Sequence, residues 1–265
     1  VSGLSYVQTL LLVCPLVFLA GFVDSIAGGG GLISLPAYLA AGLPAHIAAG
    51  SNKFAMMLGT SVSVAKYSRS GNIRLKTALL SAAAALPGAW VGTKIALFLD
   101  ERYLKAAMLA VIPSVAIFLL FNRGFKPKST EQEIESKKIR FNGTRAGRVG
   151  LSLGIGLVIG CYDGLIGPGT GTFLMIAFAS LLQYSLLVSS GSAKLVNLAS
   201  NCMSAMLFIA SGNVWYALAV PAACCTIAGN WLGSRLAIRN GVKVIRPVMF
   251  AVLALLFAKI VADLF

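Results

Sequence analysis

The sequence predicts an all-α polytopic membrane protein: two inverted repeats of about five apolar segments each, with broken or re-entrant helices at glycine-rich loops. Three observations carry this. Hydrophobic residues make up 58% of the 265 residues and charged residues only 11%, against about 45–50% and about 25% in soluble domains. Short motifs recur in the same order along the chain. Basic residues fall in loops that do not match between the two copies of those motifs.

Near-continuous apolar segments cover Leu4–Ala27, Ile73–Leu99, Leu104–Phe121, Leu151–Ile166, Trp215–Leu232 and Val248–Val261. Runs of about 20 apolar residues span a bilayer as helices, whereas barrel strands alternate over about 10. The segments are therefore helical. No basic residue precedes the first run, unlike a cleavable signal peptide.

The repeat is explicit. "GFVDSIAGGGGLISL" from Gly21 matches "GCYDGLIGPGTGTFL" from Gly160, at an offset of 139. At an offset of 141, "GSNK" (Gly50–Lys53) matches "GSAK" (Gly191–Lys194), and "SGN" (Ser70–Asn72) matches Ser211–Asn213. "GAWVGTKIA" (Gly88–Ala96) matches "GNWLGSRLA" (Gly229–Ala237) at the same offset. Residues 1–121 thus form one repeat and 149–265 the other, joined by a polar linker at 122–148.

The net charge of +14 would suggest nucleic acid in a soluble chain. Here loop Lys and Arg mark the cytoplasmic side instead, and no nucleic-acid partner is expected. The linker carries eight Lys/Arg, and "KYSRSGNIRLK" (Lys66–Lys76) is also basic, so both are placed in the cytoplasm. The counterpart of that loop, "FIASGNVWYA", is uncharged and is placed outside, while "RLAIRNGVKVIR" is placed inside. Equivalent loops on opposite sides require an odd number of crossings per half. Five segments each, with both termini outside, satisfy this. The second of each half is short: Leu32–Ala41 and Phe173–Gln183. A helix of about 12 residues rises only about 18 Å, too little for a hydrocarbon core of about 30 Å.

The breaks suggest a site. Gly28, Gly29, Gly30 and Gly31 lead into one short helix, and Gly167, Gly169, Thr170, Gly171 and Thr172 into the other. A helix start offers backbone N–H groups and a positive dipole end, and glycine lets an anion approach them. Close helix packing is the competing reason for such glycines. If Pro44 opens the third segment, Lys53 lies about 14 Å along it, near the membrane centre. Lys194 is its counterpart. A charge at that depth costs at least about 2.5–3.5 kcal/mol and usually faces a cavity. Ser190, Lys194, Asn197, Asn201 and Ser204 share one helix face, as do Lys53, Thr60 and Ser63, with Met56 where the other half has asparagine. Ser51, Asn52 and Ser192 beside the lysines complete the expected substrate-binding set. Asp24 and Asp163 are the only acidic residues inside apolar sequence. They are either coupling groups or ion-pair partners of the lysines.

Other residues get plainer expectations. His46 reads as interfacial, Lys94 and Arg235 as snorkelling, and Trp90 and Trp231 as packing residues beside small-residue contacts. Cys14, Cys161, Cys202, Cys224 and Cys225 contain no CxxC pair and read as buried small hydrophobes, without a disulfide framework, metal site or cofactor. The sequon at Asn142 falls in the cytoplasmic linker, where it carries no meaning. The chain has no HExxH, GxSxG or P-loop, so no enzyme is expected.

Together, "GFVDSIAGGGGLISLPAYLAAGLPAHIAAGSNK" and "GCYDGLIGPGTGTFL" with the following "SAK…N…SN" resemble the sulfite exporter TauE/SafE family, also called toluene-sulfonate uptake permeases. The resemblance implies a secondary transporter in a bacterial or archaeal plasma membrane, carrying sulfite, thiosulfate, sulfoacetate or another organosulfonate by alternating access. An anion channel or a uniporter for another small oxyanion or carboxylate is the alternative. Expected partners are that anion, the lipid bilayer and a second copy in a homodimer. An inside-negative potential favours anion exit by about 2.3 kcal/mol per charge per 100 mV, so export could run without a coupling ion and uptake could not.

Overall fold

A computed structural model describes residues 5–104, 106, 144–249 and 251. The expected segments Leu104–Phe121 and Val248–Val261, the sequon at Asn142 and most of the linker lie outside or at the edge of these residues. Among the described residues the structure is helical and contains no strand. The first half gives α1 (Tyr6–Ala27), α2 (Gly31–Ala40), α3 (Ala45–Arg69) and α4 (Leu75–Phe98). The second gives α5 (Arg145–Leu165), α6 (Thr170–Ser180), α7 (Leu186–Ala210) and α8 (Tyr216–Asn240). Shorter helical stretches lie at 101–104 and 242–249.

Local sequence explains the boundaries. Ser5 and Gln8 form a reciprocal capping box at the start of α1. Thr144 and Ser185 cap α5 and α7 by accepting from Gly147 N and Val188 N. The cap on α5 starts that helix inside the stretch that composition assigns to the linker. Pro44 sits at the N-cap of α3 rather than within its first turn. Paired helices have nearly equal lengths: 22 and 21 residues, 10 and 11, 25 and 25, 24 and 25.

The halves interlock. α1 of the first half packs along α8 of the second, and α5 of the second packs along α4 of the first. Glycine lets these backbones touch: a Cβ on Gly156 would sit 2.0 Å from Ser81 O, and one on Gly229 would sit 2.2 Å from Phe18 O. Gly88 and Gly92 face α5 in the same way, and Gly233 faces α1. Trp90 and Trp231 lie between those glycines in sequence and therefore point away from the contact. They are 48% and 43% exposed, not packed as expected. The cysteines also differ from expectation. All five are free thiols, and each is half-buried or exposed.

Five helices among the described residues, α1, α4, α5, α7 and α8, are long and apolar enough to cross a membrane. α3 matches α7 in length but has a lower mean hydropathy, because it carries a polar stripe. α3 and α7 pack together at the centre, the start of each against the end of the other: Gly50 abuts the Asn213 carbonyl and Gly191 abuts the Asn72 carbonyl. Two apolar clusters flank the middle. One gathers Tyr38, Ala45, Phe208 and Leu218. The other gathers Ile26, Tyr67, Phe178 and Ala193. Each holds the body of one short helix, α2 in the former and α6 in the latter.

Candidate functional site

The glycine loops meet each other between those clusters. Gly28 ends α1 with φ 78°, and a Cβ on it would lie 2.2 Å from the backbone of Gly171 and Thr172. Gly171 presses back: its Cβ would lie 2.8 Å from the Gly28 Cα. Thr172 fastens the crossing by donating its hydroxyl to Ala27 O at 3.1 Å. Gly30 packs under the end of α1, where a Cβ would sit 2.5 Å from Ala20 O. Gly28, Gly171 and Thr172 thus form the crossing of the loops, and Gly30 packs its loop against α1. Gly29, Gly31, Gly167, Gly169 and Gly171 line the cavity beside it. Close packing thus accounts for Gly28 and Gly30, whereas Gly29 and Gly31 border the cavity.

The cavity has a volume of about 30 Å³, where about 10–15 Å³ suffices for one water. Asp24, Asn52, Lys53, Met56, Asp163, Thr170, Asn197 and Asn201 complete its wall. The N–H groups of Gly31 and Gly171, in the first turns of α2 and α6, have no acceptor among the described residues. They are the helix-start donors that the sequence suggests. Asn52 Oδ1 is buried with no hydrogen-bond partner. Such an atom costs about 1–3 kcal/mol, and rotating the amide would instead present its N–H₂ to the cavity.

The lysines are already engaged. Lys53 Nζ lies 2.9 Å from Asp163 Oδ1 and donates to Asn201 Oδ1 at 3.2 Å. Lys194 Nζ lies 2.6 Å from Asp24 Oδ2. Each pair joins one half of the protein to the other. Asp163 Oδ2 also accepts from Ser200 Oγ at 2.6 Å. Asp24 Oδ1 accepts no hydrogen bond among the described residues. The pairs differ in access, since Lys53 belongs to the cavity wall and Lys194 is almost fully enclosed behind it.

Several expected site residues point elsewhere. Ser51 Oγ accepts from Trp215 N at 3.0 Å and Ser192 Oγ from Arg74 N at 3.1 Å. These equivalent serines cap the starts of α8 and α4 across the halves and do not line the cavity. Ser190 donates to Ile26 O, Ser63 to Asn230 Oδ1, and Ser204 pairs with Thr93, so the serines of both polar stripes go to helix contacts. His46 bonds Ala96 O, away from the cavity.

Sequence reasoning missed Ser200, which orients Asp163, and Tyr67, which joins Ser25 O and Ser190 Oγ. Ser200 lies three residues after Asn197, and that helical spacing was the available signal. Tyr67 gave none. Tyr162 is a further case: its hydroxyl donates to Pro168 O and ties the second loop to α5. Among the described residues no cluster of His, Cys, Asp and Glu could hold a metal ion.

Comparison with known proteins identifies the family. A family model described as sulfite exporter TauE/SafE matches residues 13–260. The chain is 32% identical over 246 residues to the probable membrane transporter protein ORF9 of a Sinorhizobium species, covering 93% of this chain and 90% of that one. It is 31% identical over 245 residues to the probable membrane transporter protein YfcA of Escherichia coli K12, covering 92% and 87%. A shorter match, 30% identical over 114 residues, covers 43% of this chain and 24% of sulfite exporter TauE/SafE family protein 3 of Arabidopsis thaliana. No solved structure matches. Broken helices from two interlocked repeats, apolar spanning helices and a family match across nearly the whole chain lead to one conclusion: this multi-pass membrane protein belongs to the sulfite exporter TauE/SafE family.

Proposed function

We propose that the protein is a secondary carrier of small sulfur-containing oxyanions such as sulfite or thiosulfate, in a bacterial or archaeal plasma membrane. One observation carries the reading. The two helix breaks meet at a buried polar cavity holding a lysine, three asparagines and helix-start N–H groups without acceptors. An anion leaving water must exchange its hydration for directed donors and positive charge, and these groups supply both. The cavity volume of about 30 Å³ favours an inorganic oxyanion over a long organosulfonate in this conformation.

Alternating access is supported by the two apolar clusters that flank the cavity, one built on each short helix. Rocking one half against the other would open one cluster while the other stays packed. Cross-half ion pairs and apolar layers on either side favour a carrier over a channel. The reciprocal packing of α3 and α7, start against end, supports opposite orientation of the two halves in the membrane.

Liposomes containing the purified protein test the proposal. Saturable uptake of radiolabelled thiosulfate, accelerated by unlabelled thiosulfate on the other side, is the expected result. Lys53→Gln should weaken it at least about tenfold, the loss of one charge-assisted hydrogen bond. Flux that rises linearly without saturation would identify a channel instead.

A further inference from the structure

The ion pairs determine what an incoming anion has to displace. Lys53 is the cation of the cavity wall, Asp24 and Asp163 are its carboxylates, and Lys194 sits behind the wall paired with Asp24, so the described charges there sum to zero. An anion bound to Lys53 takes the third N–H that Asp163 and Asn201 leave open, or displaces the Asp163 carboxylate at Nζ. That leaves a carboxylate and an anion together in a buried site with one fewer cation than it needs. Unpaired charge in such a place is disfavoured, and a carboxylate is relieved by taking a proton.

Resting on the carrier reading above, we infer that each negative charge entering the cavity is matched by one proton taken up by Asp163 or Asp24, so that anion and protons move together without net charge. The step balances: the Lys53 ammonium paired with the Asp163 carboxylate, plus a monoanion and one proton, becomes the ammonium paired with the anion beside a neutral carboxylic acid. A dianion also reaches the second pair, and Asp24 takes the second proton.

The geometry suits these roles. Asp163 keeps a neutral donor, Ser200, on Oδ2 when Lys53 leaves Oδ1. Asp24 lines the cavity and has an oxygen, Oδ1, that accepts no hydrogen bond among the described residues. The titratable and charged groups packed around the two carboxylates are Lys53 and Tyr67 of α3, Lys194 of α7 and Tyr162 of α5. Tyr67 and Tyr162 are held by the backbone carbonyls of Ser25 and Pro168. His46, the sole histidine, bonds Ala96 O away from the site. No other described group is placed to supply the compensating proton. Transport of this kind is set by the pH gradient and the anion gradient, and the membrane potential does not bias its direction.

The test uses purified full-length protein with two probes that do not titrate near neutrality, methanesulfonate as monoanion and thiosulfate as dianion. A pH-indicating dye in weak buffer reads proton uptake on binding, expected at one and two protons per anion bound. Affinity should rise about tenfold per pH unit for methanesulfonate, and about a hundredfold for thiosulfate, as pH falls from about 8 to about 5. Asp163→Asn should bind methanesulfonate with no pH dependence and reduce the thiosulfate slope to that of one proton. If that variant does not fold, the dye measurement on the unaltered protein decides alone. Saturable binding without proton uptake would overturn the inference and leave the carrier reading standing, as would binding that requires sodium in place of protons. Binding of neither anion would remove the carrier reading and this inference with it.

Discussion

Lys194 Nζ of the second repeat lies 2.6 Å from Asp24 Oδ2 of the first, 170 residues away in sequence. The equivalent residues form the reciprocal pair, Lys53 with Asp163 at 2.9 Å. Each repeat therefore holds a charge that only the other neutralises. A single repeat would bury an unpaired lysine and an unpaired aspartate, so the pairs tie correct folding to correct association of the halves.

That arrangement predicts a double-mutant pattern. Asp24→Asn or Lys194→Gln alone leaves a buried charge without its partner and should cost about 3–5 kcal/mol. The combined Asp24→Asn/Lys194→Gln protein should recover most of that loss. Thermal unfolding in detergent measures it, and equal, additive losses would mean the pair is not a unit.

The loop crossing makes a second prediction. Gly28→Ala places a methyl group inside the Gly171 backbone at a residue with φ 78°, and should cost about 4 kcal/mol or more. Gly154→Ala, in α5 where a Cβ meets nothing within 4 Å, should be neutral or stabilising by up to about 1 kcal/mol. The yield of monodisperse protein on size exclusion compares them directly. Equal tolerance at both positions would contradict the crossing.

Topology gives a third. Single cysteines at Ser70 and Ser211 in a Cys-less background should react with an impermeant maleimide from opposite sides, Ser70 from the cytoplasm and Ser211 from outside. Both residues are exposed at loop starts after α3 and α7, so labelling is sterically open. Reaction from one side only would sink the inverted arrangement.

A fourth separates the cavity wall from its frame. Asn201→Leu removes the amide oxygen that Lys53 Nζ contacts at 3.2 Å, and should weaken anion binding at least about tenfold. Ser192→Ala removes only the cap on Arg74 N, costing about 1 kcal/mol of stability with affinity unchanged. Isothermal titration with thiosulfate distinguishes them. A loss of affinity at Ser192 would return it to the site.

Much of this was legible because the sequence makes locally expensive choices. Lysine and aspartate inside apolar runs, and a glycine run at the end of a spanning segment, stand out against their neighbours without any structure. The starts of both short helices fell within three residues of their expected places, Gly31 against Leu32 and Thr170 against Phe173. Less visible were choices that depend on which way a side chain turns. Ser51 and Ser192 sit two residues from the lysines, yet they face the next helix of the opposite half. Trp90 and Trp231 lie beside contact glycines in sequence but on the far side of the helix.

The sequence alone determined the membrane environment, the repeat, the helix breaks and the family resemblance, because each is set by residue type and order along one strand of chain. Tertiary structure alone decided which aspartate meets which lysine, which of the four glycines carries the crossing and which lines the cavity, and that the buried charges cancel. Those facts depend on distances between segments far apart in sequence. A helix propensity or a hydropathy run holds no information about the segment that will pack against it.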